Sequence, residues 1–127
     1  MPTPEQVRGV VETYVKTMEA GDRDGWLALW ADDAIHHDPP SQPPHVGKDA
    51  LAAFWDEIHQ LTETFSYDVR DVWVVGDEAA MVFTLTIGLA GGMRLQFDAV
   101  EIFAVGDDGR ITSMKAFLDE TAMRPVD

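Results

Sequence analysis

The order of hydrophobic patterns along the sequence predicts an α+β fold, with helices first and a curved antiparallel or mixed sheet after them. In the first half, apolar residues recur at helical spacing. The clearest such stripe is Val7, Val10, Val11, Tyr14, Val15 and Met18. In the second half, segments that alternate in polarity or are β-branched are separated by glycine-containing turns. This order favours helices packed on one face of a sheet.

Three helices are predicted. The first begins at a capping box, Thr3-Pro4-Glu5-Gln6, and ends near Gly21. A shorter helix follows from Asp22 or Asp24, and a third spans about 48 to 62. The residues expected on the buried sides of the second and third helices are Trp26, Leu27, Leu29, Trp30, Leu51, Phe54, Trp55, Ile58 and Leu61.

Strands are predicted at 34–38, 65–75, 78–89, 93–105 and 111–121. In two of them, the alternation of polarity predicts which side chains face the core. They are Met81, Phe83, Leu85, Ile87 and Leu89 in one strand, and Leu95, Phe97, Ala99, Glu101, Phe103 and Val105 in the next. Glu101 is therefore a carboxyl group inside an apolar stripe, whereas Asp98 falls on the opposite face, where a charge is ordinary.

Length and charge narrow the class of protein. The chain has 127 residues, which suits a single domain over 1–127. Its formal net charge of −14 argues against nucleic-acid and anionic membrane partners. There is no cysteine for a disulfide or a zinc-thiolate site. Neither a signal peptide nor an apolar run of roughly 20 residues is visible, so we expect a cytoplasmic protein.

Glu101 is the first candidate for chemistry. A buried carboxyl group must either pair with a cation or take up a proton. No Lys or Arg shares its face of the strand, so a raised pKa and a hydrogen-bond donor role are expected. The structural alternative is a carboxylate at the end of the sheet that bonds a helix cap or a distant Arg.

Asp38 and Tyr14 are weaker candidates when each is considered alone. Asp38 follows a short strand and precedes two prolines, and an Asp-Pro pair is most often a turn. Tyr14 lies on a buried helical stripe, where a tyrosine is usually part of the core. No metal site is expected, because the adjacent His36 and His37 point to opposite faces of a strand. His36 does share its face with Asp38.

Three stretches together, 11–22, 30–54 and 97–114, resemble the ketosteroid isomerases (steroid delta-isomerases) and the wider nuclear-transport-factor-like, or SnoaL-like, superfamily. The Ala31-Asp32-Asp33-Ala34 and Gly109-Arg110-Ile111 pieces are common across that superfamily. Asp38-Pro39 followed by Gln42-Pro43-Pro44 is more specific to the isomerases. The joint placement of Tyr14, Asp38 and an acid at 101 is the most specific signal.

The resemblance implies a cone-shaped fold that encloses an apolar pocket, and it assigns a role to each candidate. Asp38 matches the family's general base, and Tyr14 matches the phenol that hydrogen-bonds the dienolate oxygen. Glu101 stands where the family has a protonated aspartic acid as second donor. The implied reaction converts Δ5-3-ketosteroids to Δ4-3-ketosteroids. Trp55 stands where the family has a tyrosine that supports the phenol.

The residues expected to contact the substrate form an apolar pocket suited to a flat polycycle such as a steroid. They are Trp55, Phe54, Phe83, Leu85, Phe97, Ala99, Met114 and Leu118. No cofactor or metal is expected, because moving a proton between carbons needs none. Val82, Val100, Ile102 and Ala104 make the outer face of the sheet apolar, and a homodimer is the expected cover.

Two other readings stay open. One is a different enzyme on the same fold, such as a dehydratase, an epoxide hydrolase or a polyketide cyclase. His36 beside Asp38 keeps a His–Asp pair available for such chemistry. The other is a non-catalytic binder of small apolar molecules, which tight steroid binding without turnover would favour.

Overall fold

The computed structural model describes residues 1–126, which form three α-helices, one short 3₁₀ helix and seven strands. The helices are α1 (Pro4–Ala20), α2 (Arg23–Ala28) and α3 (Lys48–Ile58), with the 3₁₀ helix at Glu120–Ala122. The strands are β1 (Trp30–His37), β2 (His45–Val46), β3 (Thr62–Val75), β4 (Glu78–Leu89), β5 (Arg94–Val105), β6 (Ile111–Leu118) and β7 (Arg124–Val126). None of the helices in this described part is long and apolar enough to cross a membrane.

The strands form one curved, mixed sheet in the order β2-β1-β6-β5-β4-β3, and β7 pairs with β5. The β1–β6 pair is parallel, whereas the other pairs are antiparallel. Helix α1 packs on β3 and β4, and α3 packs on β1 and β2. The predicted α+β architecture, with helices over one face of a curved sheet, is confirmed.

Local capping interactions begin the first two helices where the sequence predicts them. The Thr3 side chain accepts a hydrogen bond from the Gln6 backbone N–H (3.2 Å), and the Gln6 side chain accepts from the Thr3 N–H (2.8 Å). This reciprocal capping box begins α1. Gly21 follows α1 in the left-handed region (φ 67°), which glycine adopts without steric cost. Asp22 then caps α2 by accepting from the Gly25 N–H.

Several element boundaries differ from the prediction. Helix α3 ends at Ile58, because the His59 ring bonds the Trp55 carbonyl oxygen (2.7 Å) and the chain then turns into β3. Leu61, expected on the buried side of α3, is consequently 71% exposed. Strand β1 begins earlier than expected, at Trp30, which pairs with Ile111 of β6.

The pairing of β4 with β5 fixes which side chains face the helices. Met81 lies opposite Glu101, Phe83 opposite Ala99, and Leu85 opposite Phe97. These side chains are buried, as the alternation predicts. On the other face, Asp98 pairs with Arg70 (2.8 Å) and accepts a hydrogen bond from Thr84 (2.7 Å), so its charge is satisfied there. The register therefore leaves Glu101 as the carboxyl group on the inner face of β5.

Candidate active site

A cavity of about 330 Å³ lies between helices α1 and α3 and the inner face of the sheet. Its wall is largely apolar, which is usual for a site that binds small organic ligands. The apolar lining residues are Met18, Phe54, Ile58, Leu61, Phe65, Leu85, Ile87, Phe97 and Leu118. Six polar side chains also border it: Tyr14, Asp38, Glu57, Thr62, Tyr67 and Glu101.

Glu101 places a carboxyl group deep in this cavity with little to stabilise a charge. Its side chain is 4% exposed, and its Oε1 atom has no hydrogen-bond partner among the described residues. Burial raises the pKa of Glu101 well above its ordinary value, and the negative charge of Asp38 raises it further. A neutral acid is the form that such a site favours, and its O–H is able to donate to a ligand.

Asp38 lies on the same cavity, immediately after the last residue of β1. Its side chain is 17% exposed, so it is far more solvated than Glu101. Burial raises the pKa of Asp38 to about 7, with a smaller contribution from the negative charge of Glu120. An acid with this pKa exchanges between its two forms near neutrality, which suits a general base.

Tyr14 and Tyr67 place two phenols side by side on the cavity wall. Tyr14 comes from α1 and Tyr67 from β3, and their rings meet edge to face at 6.5 Å. Phe103 packs edge-on against Tyr14 (5.1 Å), and Phe83 stacks on Tyr67 (5.1 Å), so both rings are held. Burial raises the pKa of each phenol well above its ordinary value, which keeps both hydroxyls protonated.

His36 lies directly behind Asp38. Its side chain is fully buried, and its Nε2 atom is 3.8 Å from the Asp38 Oδ2 atom. Its Nδ1 atom is 3.1 Å from the Nδ1 atom of His45 on β2. Burial, followed by the nearby His45, lowers the pKa of His36 to about 3, so the ring is neutral at physiological pH.

The structure brings the three predicted catalytic candidates, Tyr14, Asp38 and Glu101, to one cavity. Four of the eight residues expected to contact substrate also line it: Phe54, Leu85, Phe97 and Leu118.

The other four do not line the cavity. For those on strands, alternation predicts which face of the strand a side chain lies on, but not how far along the strand the cavity extends. Phe83 lies beneath Tyr67, and Met114 is fully buried opposite Phe103. Trp55 packs between Trp26 and His59. Ala99 faces the helices opposite Phe83 and is buried, but it does not line this cavity.

Tyr67 is the main polar lining residue that the sequence analysis does not single out. It lies on β3, where a register shift between Val69 and Asp71 interrupts the alternation. Phe65 and Tyr67, before that shift, do alternate with exposed neighbours. Reading the first part of β3 separately would have placed Tyr67 on the inner face.

The arrangement is suited to removing a proton from a carbon next to a carbonyl group. Such a reaction needs a base with a pKa near the working pH. It also needs preorganised donors for the negative charge that develops on the carbonyl oxygen. Asp38 has a pKa in the range that the first requirement names, and Tyr14 and Glu101 have raised pKa values on the same cavity, so both favour the neutral O–H form that the second requires. Within residues 1–126, no cluster of three or more His, Asp or Glu side chains could hold a metal ion.

A family of known proteins matches the chain over most of its length. The SnoaL-like domain model matches residues 11–114. The chain therefore belongs to the SnoaL-like domain family.

Among similar proteins, a steroid Δ-isomerase of Nocardioides simplex is 28% identical over 88% of this chain and 89% of its own. The epoxide hydrolase LasB of Streptomyces lasalocidi is 29% identical to this chain. The matched region covers 91% of this chain but 42% of that longer protein. In structure, the Δ5-3-ketosteroid isomerase from Mycobacterium sp. superposes with a TM-score of 0.86. It is 27% identical, and the match covers 95% of this chain and 98% of the other. Two of these relatives are steroid isomerases by name, and the third is an epoxide hydrolase.

The raised pKa of Asp38 predicts a pH-dependent loss of stability. Between about pH 4 and pH 7 the folded state holds a proton on Asp38 that the unfolded state has released, so wild-type stability falls as pH rises. Asp38→Asn does not titrate. We expect its free energy of unfolding, relative to wild type, to increase across this window by on the order of 2–4 kcal/mol and then to level off.

Urea unfolding at a series of pH values measures this difference. Asp33→Asn changes an exposed residue of the same strand and serves as the control, which we expect to follow the wild-type pH course. Parallel curves for wild type and Asp38→Asn would contradict the raised pKa.

Proposed function

We propose that this protein is a steroid Δ-isomerase, which converts Δ5-3-ketosteroids to Δ4-3-ketosteroids. The observation that carries the proposal is the meeting of Asp38, Tyr14 and Glu101 on one apolar cavity, where burial raises the pKa of Glu101. The similarity to a steroid Δ-isomerase over nearly the full length of both chains supports the same reaction.

In the proposed reaction, ionised Asp38 removes a proton from the carbon between the ketone and the carbon–carbon double bond. The electron pair of that C–H bond moves into a dienolate, and negative charge develops on the ketone oxygen. Tyr14 and Glu101 each donate a hydrogen bond to this oxygen. Asp38 then returns the proton two carbons further along, which leaves the double bond conjugated with the ketone and Asp38 ionised again. The reaction consumes no cofactor.

Tyr67 takes a supporting role in this proposal. If the Tyr67 hydroxyl donates to the Tyr14 oxygen, the Tyr14 O–H is free to donate to the ligand, and its donor strength increases. Trp55 stands where the isomerases have a supporting tyrosine, and here it packs between Trp26 and His59 instead. We infer that Tyr67, from a different element, supplies the support.

The cavity fits an apolar, uncharged ligand. Its volume lies at the lower end of the range usual for small-molecule sites, so a compact polycycle would fill it. The strongly negative chain disfavours anionic substrates. Steroids without an acidic substituent meet both conditions.

We also propose that a second copy covers the outer face of the sheet. Phe117 is 48% exposed there, beside a groove that Val82, Val100 and Pro40 border. An exposed apolar patch of this kind is typical of an interface between subunits. A monomeric mass in static light scattering would rule the homodimer out.

An epoxide hydrolase is the second candidate. The similarity to LasB and the contact of His36 with Asp38 favour it, since a His–Asp pair could activate a water molecule. In that reaction Asp38 would deprotonate water, which opens the epoxide while a neutral donor such as Tyr14 protonates the leaving oxygen.

The isomerase proposal predicts turnover of 5-androstene-3,17-dione, which is followed by the ultraviolet absorbance of the conjugated enone. We expect kcat/KM to rise with pH through about 7 as Asp38 ionises. Asp38→Asn should lower kcat by about 10²–10⁴, because it removes the base. Asp33→Asn is the control and should match wild type. Absence of turnover with clear steroid binding would favour the binder reading, and hydrolysis of an epoxide probe would favour the second candidate.

The donor roles predict a graded series of rates. Tyr14→Phe and Glu101→Ala should each lower kcat by about 10²–10³, because each removes a donor to the oxyanion. Tyr67→Phe should cost about tenfold, since it removes one supporting hydrogen bond and keeps the ring that stacks on Phe83. Glu101→Gln keeps a neutral donor and should retain more activity than Glu101→Ala. Equal rates for Glu101→Ala and wild type would refute the donor role of Glu101.

A further inference from the structure

The imidazole ring of His36 has one nitrogen that lies near the cavity carboxylate and has no hydrogen-bond partner. The side chain is fully buried, and its Nε2 atom is unpartnered among the described residues. That atom is 3.8 Å from the Asp38 Oδ2 atom, which is too long for a hydrogen bond. A side-chain shift of about 1 Å would close the distance. Because a buried polar atom without a partner costs free energy, such a shift is favoured when an N–H faces a charged acceptor.

The residues around His36 hold its ring and direct its free nitrogen to Asp38. The antiparallel pairing of β1 with β2 sets His36 opposite His45, and their Nδ1 atoms are 3.1 Å apart. Trp30 meets the His36 ring edge-on at 5.3 Å. Phe54, which lines the cavity, packs edge to face on the same ring at 4.6 Å. With Nδ1 already taken by His45, the ring acts on the cavity through Nε2 and Asp38.

The contact between the two Nδ1 atoms allows two arrangements of the ring protons. One ring must donate an N–H and the other must accept it. If His36 is the donor, its Nε2 atom is a bare lone pair, which the charge of an ionised Asp38 repels. If His45 is the donor, Nε2 carries the proton and presents an N–H to the carboxylate. Ionised Asp38 therefore favours the second arrangement.

We propose that His36 is a positioning residue for the base: it donates its Nε2–H to the Oδ2 atom of ionised Asp38, and His45 holds it in that tautomer. The proposal rests on the isomerase function above and adds a residue on which that reaction depends. The hydrogen bond occupies one carboxylate oxygen and restrains its rotation, which leaves the other oxygen to take the proton from the substrate carbon. The proton on Nε2 stays on His36 throughout.

The other groups around Asp38 show why such a donor matters for a base. Burial and the negative charge of Glu120 raise the pKa of Asp38. The titratable groups that border the cavity with it are Tyr14, Glu57, Tyr67 and Glu101. A negative charge on Asp38 or Glu101 disfavours a charge on the other. An N–H donated to the ionised form acts in the opposite direction and lowers the pKa of Asp38. Burial keeps His36 itself neutral by lowering its pKa to about 3.

Nitrogen-15 NMR of protein labelled at the histidine ring nitrogens tests the tautomer without any substrate. Ring nitrogens with and without a proton have well-separated resonances, and His36→Gln identifies those of His36. Above about pH 8, where Asp38 is mostly ionised, we expect Nε2 of His36 to carry the proton and Nδ1 to carry none. A proton on Nδ1 alone, or on both nitrogens, would overturn the proposal.

A matched pair of variants separates the hydrogen bond from packing. Gln and Met have side chains of similar length and volume, and only Gln offers an N–H near the position of Nε2. We expect the apparent pKa in the kcat/KM profile for 5-androstene-3,17-dione to be about one pH unit higher in His36→Met than in His36→Gln. His37 lies on the opposite face of β1, so His37→Met is the control and should follow wild type.

Coincident profiles for His36→Met and His36→Gln, or a lower apparent pKa in His36→Met, would overturn the positioning role and leave the isomerase function standing. Lost packing alone would lower kcat without separating these two apparent pKa values. No turnover in wild type would overturn the isomerase function. The same pKa difference is then measured by carbon-13 NMR of the Asp38 carboxyl carbon, with Asp38→Asn to identify its resonance, and its absence would overturn the hydrogen bond as well.

Discussion

The burial of Glu101 opposite Met81 is the constraint on which the chemistry of this site depends. A charged carboxylate at this position would lose its hydration without a compensating partner among the described residues. The site therefore favours the neutral acid, and a neutral acid can donate a hydrogen bond to a substrate oxygen. The negative charge of Asp38, whenever Asp38 is ionised, strengthens this preference.

Each part of the fold contributes one piece of this arrangement. Helix α1 supplies Tyr14, β3 supplies Tyr67, the end of β1 supplies Asp38, and β5 supplies Glu101. The sheet register and the helix packing bring these four side chains to one cavity with a largely apolar lining. Because the acids are buried where their charged forms are disfavoured, the site costs stability at neutral pH, a cost common at functional sites. The outward Asp98, with Arg70 and Thr84 as partners, shows how the same strand accommodates an ordinary carboxylate.

Local rules predicted much of this structure from sequence. The capping box and Gly21 bound α1 as expected, and alternation placed Glu101 inward and Asp98 outward. The predictions that were wrong or absent depend on contacts between segments that are distant in sequence. Leu61 is exposed because α3 gives way early to β3. Tyr67 was not predicted because a register shift breaks the alternation of its strand. Whether Phe83, Met114 and Ala99 line the cavity depends on how the helices pack over the sheet, which alternation does not show. The pairing of His36 with His45 required the short strand β2, which no sequence pattern indicated.

The protonation state of Glu101 tests this account most directly. Carbon-13 NMR of protein labelled at the glutamate carboxyl carbons reports it, and Glu101→Gln identifies the resonance. We predict that the Glu101 resonance lies at the position of a protonated acid at pH 7, apart from the carboxylate resonances of the exposed glutamates. A Glu101 resonance at the carboxylate position at pH 7 would contradict it, because a charged Glu101 could not donate a hydrogen bond to the oxyanion.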